Sequence, residues 1–130
     1  MQTAPCEYRL LENGIHLFIL NHSTRAASEF LLDQFYQVVL ATSPDVLIRY
    51  IVDVHGVNNS PIRQTLERAQ ALNRQMTERA VTRGAYLHSN RAMAIIAEGL
   101  IRLIIHGSND RLKFFHVSEF VQAVAWVLAE

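Results

Sequence analysis

The chain has 130 residues, of which 50% are apolar and 18% charged, with Lys+Arg and Asp+Glu balanced at 12 each. That is enough for a single domain over 1–130, too little for two ordinary ones, and too apolar for a disordered segment. Zero net charge supplies no basic footprint for nucleic acid and no polybasic patch for anionic lipid, and it leaves little self-repulsion to oppose self-association.

The first residues, MQTAPCEYR, have neither a basic start nor an apolar core, so no secretory leader is expected. Cys6 is the only cysteine, which excludes an intrachain disulfide and fits a reduced, cytoplasmic protein. Asn13-Gly14 then stands between two apolar runs and supplies the positive φ angles of a tight hairpin turn. Tyr8 to Leu11 and Ile15 to Asn21 are the expected antiparallel strands. A helix follows, with Leu31, Phe35, Val38 and Val39 on one face, Ser28 as its N-cap and Pro44 beyond its end.

The third strand is Val46 to Val54, nearly continuous in apolarity as a central strand covered on both faces should be. Arg49 interrupts it and is expected to reach an edge or a carboxylate. The second helix presents Ile62, Leu66, Ala69, Asn73 and Met76 at helical spacing, with Ser60 as N-cap and Pro61 at the first helical position. Val81 to His88 is the fourth strand. Asn90 caps a third helix, Arg91 to His106, which Gly107 stops. Leu112 to Val117 is the fifth strand. Ser118 caps a fourth helix, on which Phe120, Val121, Val124, Val127 and Leu128 cover one side. The order ββαβαβαβα implies an α/β fold with a mostly parallel sheet of four to five strands.

The third helix is apolar nearly all round, whereas a helix on a sheet needs one apolar stripe. Its surplus must meet a neighbouring helix, a second subunit or an apolar ligand. Its apolar stretch, Ala92 to Ile105, is interrupted by Glu98 and Arg102 and is too short to span a bilayer.

The chemistry-bearing residues form no strong motif. The six histidines include no pair at chelating spacing, so no bound metal is expected. His22, His55, His88 and His116 do fall at expected carboxyl ends of strands, where α/β sheets usually bind ligands. With five glycines in the chain there is no phosphate loop or dinucleotide fingerprint, and no nucleophile motif occurs. Asp53, at the end of the third strand, reads as a loop-capping acceptor before it reads as an acid or base.

Two segments carry a resemblance. YIVDVHGVNNS, with Asp53, His55, Gly56 and Val57, is similar to the motif that ends the third strand of STAS domains, and RLKFFHVSEFVQAVAWVLAE is similar to their closing strand and helix. The chain from Tyr8 to Glu130 thus resembles the SpoIIAA-like anti-sigma factor antagonists. The resemblance implies a STAS fold and a non-enzymatic, cofactor-free regulatory module. It also implies a protein partner such as a kinase-like anti-sigma factor; separately, the apolarity of the third helix and the zero net charge point to self-association as a dimer or higher assembly. In the antagonists the same loop runs into Asp-Ser-Ser-Gly and is phosphorylated on serine. Here Asn58, Asn59, Ser60 and Pro61 stand there, leaving Ser60 as the available hydroxyl. Asp53, His55, Gly56, Asn58, Asn59 and Ser60 are therefore the expected partner-binding or regulatory loop. The reading from the residues alone keeps a second function open, the carriage of a small apolar or lipid-like ligand beside the third helix.

Overall fold

A computed structural model describes residues 6–22, 24–54, 62–75, 78–105 and 108–129. The hairpin forms at Asn13-Gly14, but Gly14 alone of the two takes a positive φ, and the Gly14 N–H donates to the Leu11 carbonyl at 3.0 Å to close a turn over 11–14. Gly14 has φ +85°, a region that only glycine enters freely, and the Asn13 side-chain oxygen accepts from the Ile15 N–H at 3.2 Å. The turn joins β1 (Cys6–Leu10) to β2 (His16–Leu20), with Cys6 opposite Leu20 and Leu10 opposite His16.

Helix α1 (Arg25–Ala41) begins ahead of its expected cap. Thr24, not Ser28, is the N-cap: its hydroxyl accepts from the Ala27 N–H at 3.1 Å, and Ser28 lies buried inside the first turn. Arg25, Ala26 and Ala27 are strong helix formers, so the helix starts as soon as a cap is available. It ends before Pro44, where the Thr42 hydroxyl donates to the Val38 carbonyl at 2.7 Å.

Strand β3 (Ile48–Asp53) is shorter than expected, because the Val46 N–H is taken by the Ser43 carbonyl at 3.0 Å in a turn. Then follow α2 (Ile62–Gln75), β4 (Thr82–His88), α3 (Arg91–Ile105), β5 (Arg111–His116), a one-turn 3₁₀ helix (Val117–Glu119) and α4 (Phe120–Leu128). The 3₁₀ turn is an addition to the expected order. It holds Ser118, so Ser118 does not cap α4. Its N–H instead donates to Nδ1 of His116 at 3.1 Å, while the Glu119 carboxylate accepts the His116 N–H at 2.9 Å. On α2, Ala69 is buried and Asn73 half-buried as the helical spacing requires; the Ile62 and Leu66 side chains, and Ser60, Pro61, Met76, His106 and Gly107, lie outside the described residues.

The described strands form a five-stranded α/β sheet in the spatial order β1-β2-β3-β4-β5, antiparallel between β1 and β2 and parallel thereafter. Each strand lies beside its predecessor, so crossovers of constant hand place their helices on one face. That face packs Phe18, Leu20, Val52 and Val54 on Ala27 and Leu31 of α1, and Ile48 on Tyr36, Val39 and Ala69. The opposite face, with Leu17, Ile51, Ala85, Leu87 and Phe115, is covered by α4.

On α4 the expected apolar side holds for Val127 and for Val124, which packs against the same cluster, and is corrected for the rest. Ala123 and Val127 are the buried residues, while Phe120, Val121 and Leu128 are exposed, Val121 by 76%. Small Ala123 lets the helix lie close to the sheet, and its contact stripe follows the one-turn spacing to Val127. The contacts of Arg49 among the described residues are with main-chain carbonyls at the end of α4. Arg49 donates to the Val127 and Ala129 carbonyls, and Arg83 donates to the Trp126 carbonyl at 2.8 Å with its guanidinium 4.0 Å from the Trp126 ring centroid. Two strand arginines thus supply donors to the last carbonyls of α4, the groups a helix end leaves without partners. No helix among the described residues is long and apolar enough to cross a membrane.

Candidate functional site

Alternation along the strands decides which polar residues can meet. Asp53 pairs with Leu87 in the β3–β4 register, so its side chain leaves on the α4 face. His88, one residue on, leaves on the other. Asp53 and His88 are therefore not brought together, although both end their strands. His88 and His116 are register partners on β4 and β5, with ring centroids 5.9 Å apart and planes at 87°. Burial lowers the His88 pKa, nearby His116 lowers it further, and Glu119 opposes both. The folded state thus favours neutral His88, and stability falls as pH drops below the ordinary histidine value. His22 is exposed and follows β2, two strand spacings, about 10 Å, from β4. Among the described residues no cluster of three metal-ligating side chains exists. His55, Gly56, Asn58, Asn59 and Ser60 of the expected regulatory loop lie outside the described residues.

A recess lies elsewhere, nearer the amino ends of the parallel strands. Between the sheet and α1, α2 and α3 is a half-enclosed cavity of ≈ 180 Å³. Leu31, Leu32, Phe35 and Val39 of α1 form one wall, Val52, Tyr86 and Leu112 the floor, and Ile101 and Ile105 of α3 the far side. Part of the surplus apolarity of α3 is thereby spent on this space. Ala94 and Ala97 are buried, while Ile95 and Ile96 remain 61% exposed.

Tyr50 enters because of one glycine. Its register partner on β4 is Gly84, and a Cβ built there would overlap Cζ, Cε1 and Cε2 of the Tyr50 ring. The missing side chain lets the ring lie across β4. At this end the cavity turns polar. Arg79 holds Asp110 in a two-pronged ion pair, one prong 3.0 Å from Nη1 to Oδ1 and the other from Nη2 to Oδ2. The Thr82 N–H and hydroxyl also donate to Asp110 Oδ1, at 2.9 and 3.1 Å. The Tyr36 hydroxyl donates to the Asn73 side-chain oxygen at 2.8 Å and lies 3.2 Å from the Ala69 carbonyl oxygen.

These contacts set the charge states. Burial resists ionisation of Asp110, but the Arg79 and Thr82 hydrogen bonds outweigh it and hold the carboxyl below its ordinary value. The hydrogen bond to Asp110 raises Arg79 against burial. Burial pushes Tyr36 and Tyr86 up to about 12. It raises Tyr50 too, with Asp110 and Tyr36 adding to the effect and Thr82 and Arg79 opposing it. At neutral pH the polar end is one compensated ion pair beside neutral phenols.

The residues that build this end escaped the reading of the sequence. Arg79 and Asp110 flank strands, where charge usually means solvent, and Tyr50 sits in an apolar run. The available signal was the combination of a central-strand tyrosine and a glycine on the next strand, Gly84, but pairing them requires the register. Comparison with protein-family models, with curated proteins and with solved structures finds no match.

Proposed function

We propose that the chain is a non-enzymatic binding module of STAS-like fold whose cavity takes up a small apolar molecule. The leading hairpin, the mostly parallel sheet and the alternation of strands and helices support the fold reading. The observation that carries the function is the ≈ 180 Å³ space walled by leucine, valine, isoleucine and aromatic side chains. An apolar cavity of about 150 Å³ is enough to stay dry and bind benzene. The volume therefore favours a small ligand over a lipid. Isothermal titration with indole or benzyl alcohol should show one site. Ligand at about 100 times its Kd should stabilise the fold by about 2.7 kcal/mol. Ala69→Leu places three more carbons in the space and should abolish binding without lowering the melting temperature. A parent protein that binds neither compound sinks this reading.

A regulatory protein-interaction module is the second reading, favoured by Ile95 and Ile96. Both are 61% exposed on the first half of α3, and α2 and α3 both start from the carboxyl end of the sheet. A partner at this end would be a second copy of the chain or a kinase-like anti-sigma factor. Light scattering at high micromolar concentration should show a dimer for the parent and a monomer for the Ile95→Glu/Ile96→Glu variant. A monomeric parent removes the self-association arm.

A further inference from the structure

We infer that the cavity selects an electrically neutral molecule of about one aromatic ring and refuses the anion and the cation of the same shape. This rests on the cavity being a ligand site. The size follows from ≈ 180 Å³, little more than the space known to take benzene.

The neutrality follows from the polar end. Among the described lining residues the charged ones are Arg79 and Asp110, and they neutralise each other face to face. A carboxylate entering beside them would meet Asp110 without a free positive charge to match it. An ammonium would meet Arg79 in the same way. Either ion would leave water for a mostly apolar wall without a compensating partner, which is among the largest penalties in recognition. A buried apolar site with an unopposed arginine would behave otherwise and capture acids.

At the polar end the Tyr36 hydroxyl donates to the Asn73 side-chain oxygen, which leaves its own oxygen able to accept from a ligand hydroxyl.

The test is a matched series at pH 7: benzyl alcohol, benzoate and benzylammonium, titrated calorimetrically into the full chain, with Ala69→Leu as the control that binding occurs in the cavity. Benzyl alcohol should bind at least about 100-fold more tightly than either ion. Benzoate or benzylammonium within tenfold of the alcohol overturns the neutrality while leaving the cavity a ligand site. Failure of all three overturns both readings. Asp110→Asn leaves Arg79 uncompensated and should raise benzoate affinity relative to benzyl alcohol by tenfold or more; an unchanged ratio in a folded variant also counts against the inference. Should that variant not fold, the series on the parent decides.

Discussion

Asp110→Ala is expected to destabilise the protein by about 3–5 kcal/mol, because it leaves the Arg79 guanidinium largely buried without its partner. The side chains of Arg79 and Asp110 are 18% and 8% exposed, and Asp110 also receives the Thr82 N–H and hydroxyl. A loss of that size is a large fraction of an ordinary domain's 5–15 kcal/mol, so the variant should melt far below the parent or fail to fold. The pH dependence has a definite sign. The pKa of folded Asp110 lies below its unfolded value, so proton uptake favours the unfolded chain. Its contribution is complete above the ordinary aspartate value of about 3.9 and is lost as pH falls through the folded value. Urea denaturation of parent and variant at pH 7 and pH 3 checks both statements. A difference under about 1 kcal/mol at pH 7 would refute the buried-pair account, as would an equal difference at both pH values.

Gly84→Ala is expected to cost about 1–3 kcal/mol and to remove ligand binding together. The new methyl overlaps the Tyr50 ring, which must leave its place over β4. In a fully filled core that would force the backbone apart. Here the cavity adjoins the same ring, so Tyr50 can swing into the empty space and the fold can survive with its cavity filled. The two substitutions Gly84→Ala and Tyr50→Val should therefore be strongly non-additive, since removing the ring removes the clash. A double-mutant cycle by thermal melts, run beside benzyl alcohol titrations, reads this directly. Additive costs would refute the proposed clash, and a Gly84→Ala protein that binds like the parent would show that the ring goes elsewhere.

The elements legible in the sequence were those set by short-range chemistry. Asn13-Gly14 announced its hairpin because glycine accepts the positive φ the turn needs, and Val46 to Val54 announced a central strand by nearly continuous apolarity, although the strand itself spans Ile48–Asp53. Element ends were less legible, because competing caps stand close together: Thr24 and Ser28 are both good N-caps, and helix-forming Arg25 to Ala27 decided between them. The polar end of the cavity was illegible for a different reason. Asp110 and Arg79 are 31 residues apart, and Tyr50 meets Gly84 through a register that no local pattern specifies. Surplus apolarity in the third helix did point to something beyond one stripe, and Ile101 and Ile105 lining the cavity account for part of it.

The spatial order β1-β2-β3-β4-β5 also bears on how quickly the molecule can assemble. Every strand's partner is the next strand along the chain, so no pairing needs a loop longer than one crossover helix to close. Closure entropy rises with loop length, and folding slows as contacts become more distant in sequence. The hairpin, whose turn spans only Leu11 to Ile15, can form on the order of 1–10 μs and offers β2 as a template for β3. Each later strand then meets an edge already in place, and the sheet can grow in one direction without waiting for a distant segment. A permuted sheet of the same composition would have to hold an unfilled slot open while its missing strand was found, with bare backbone donors and acceptors on both sides of the gap.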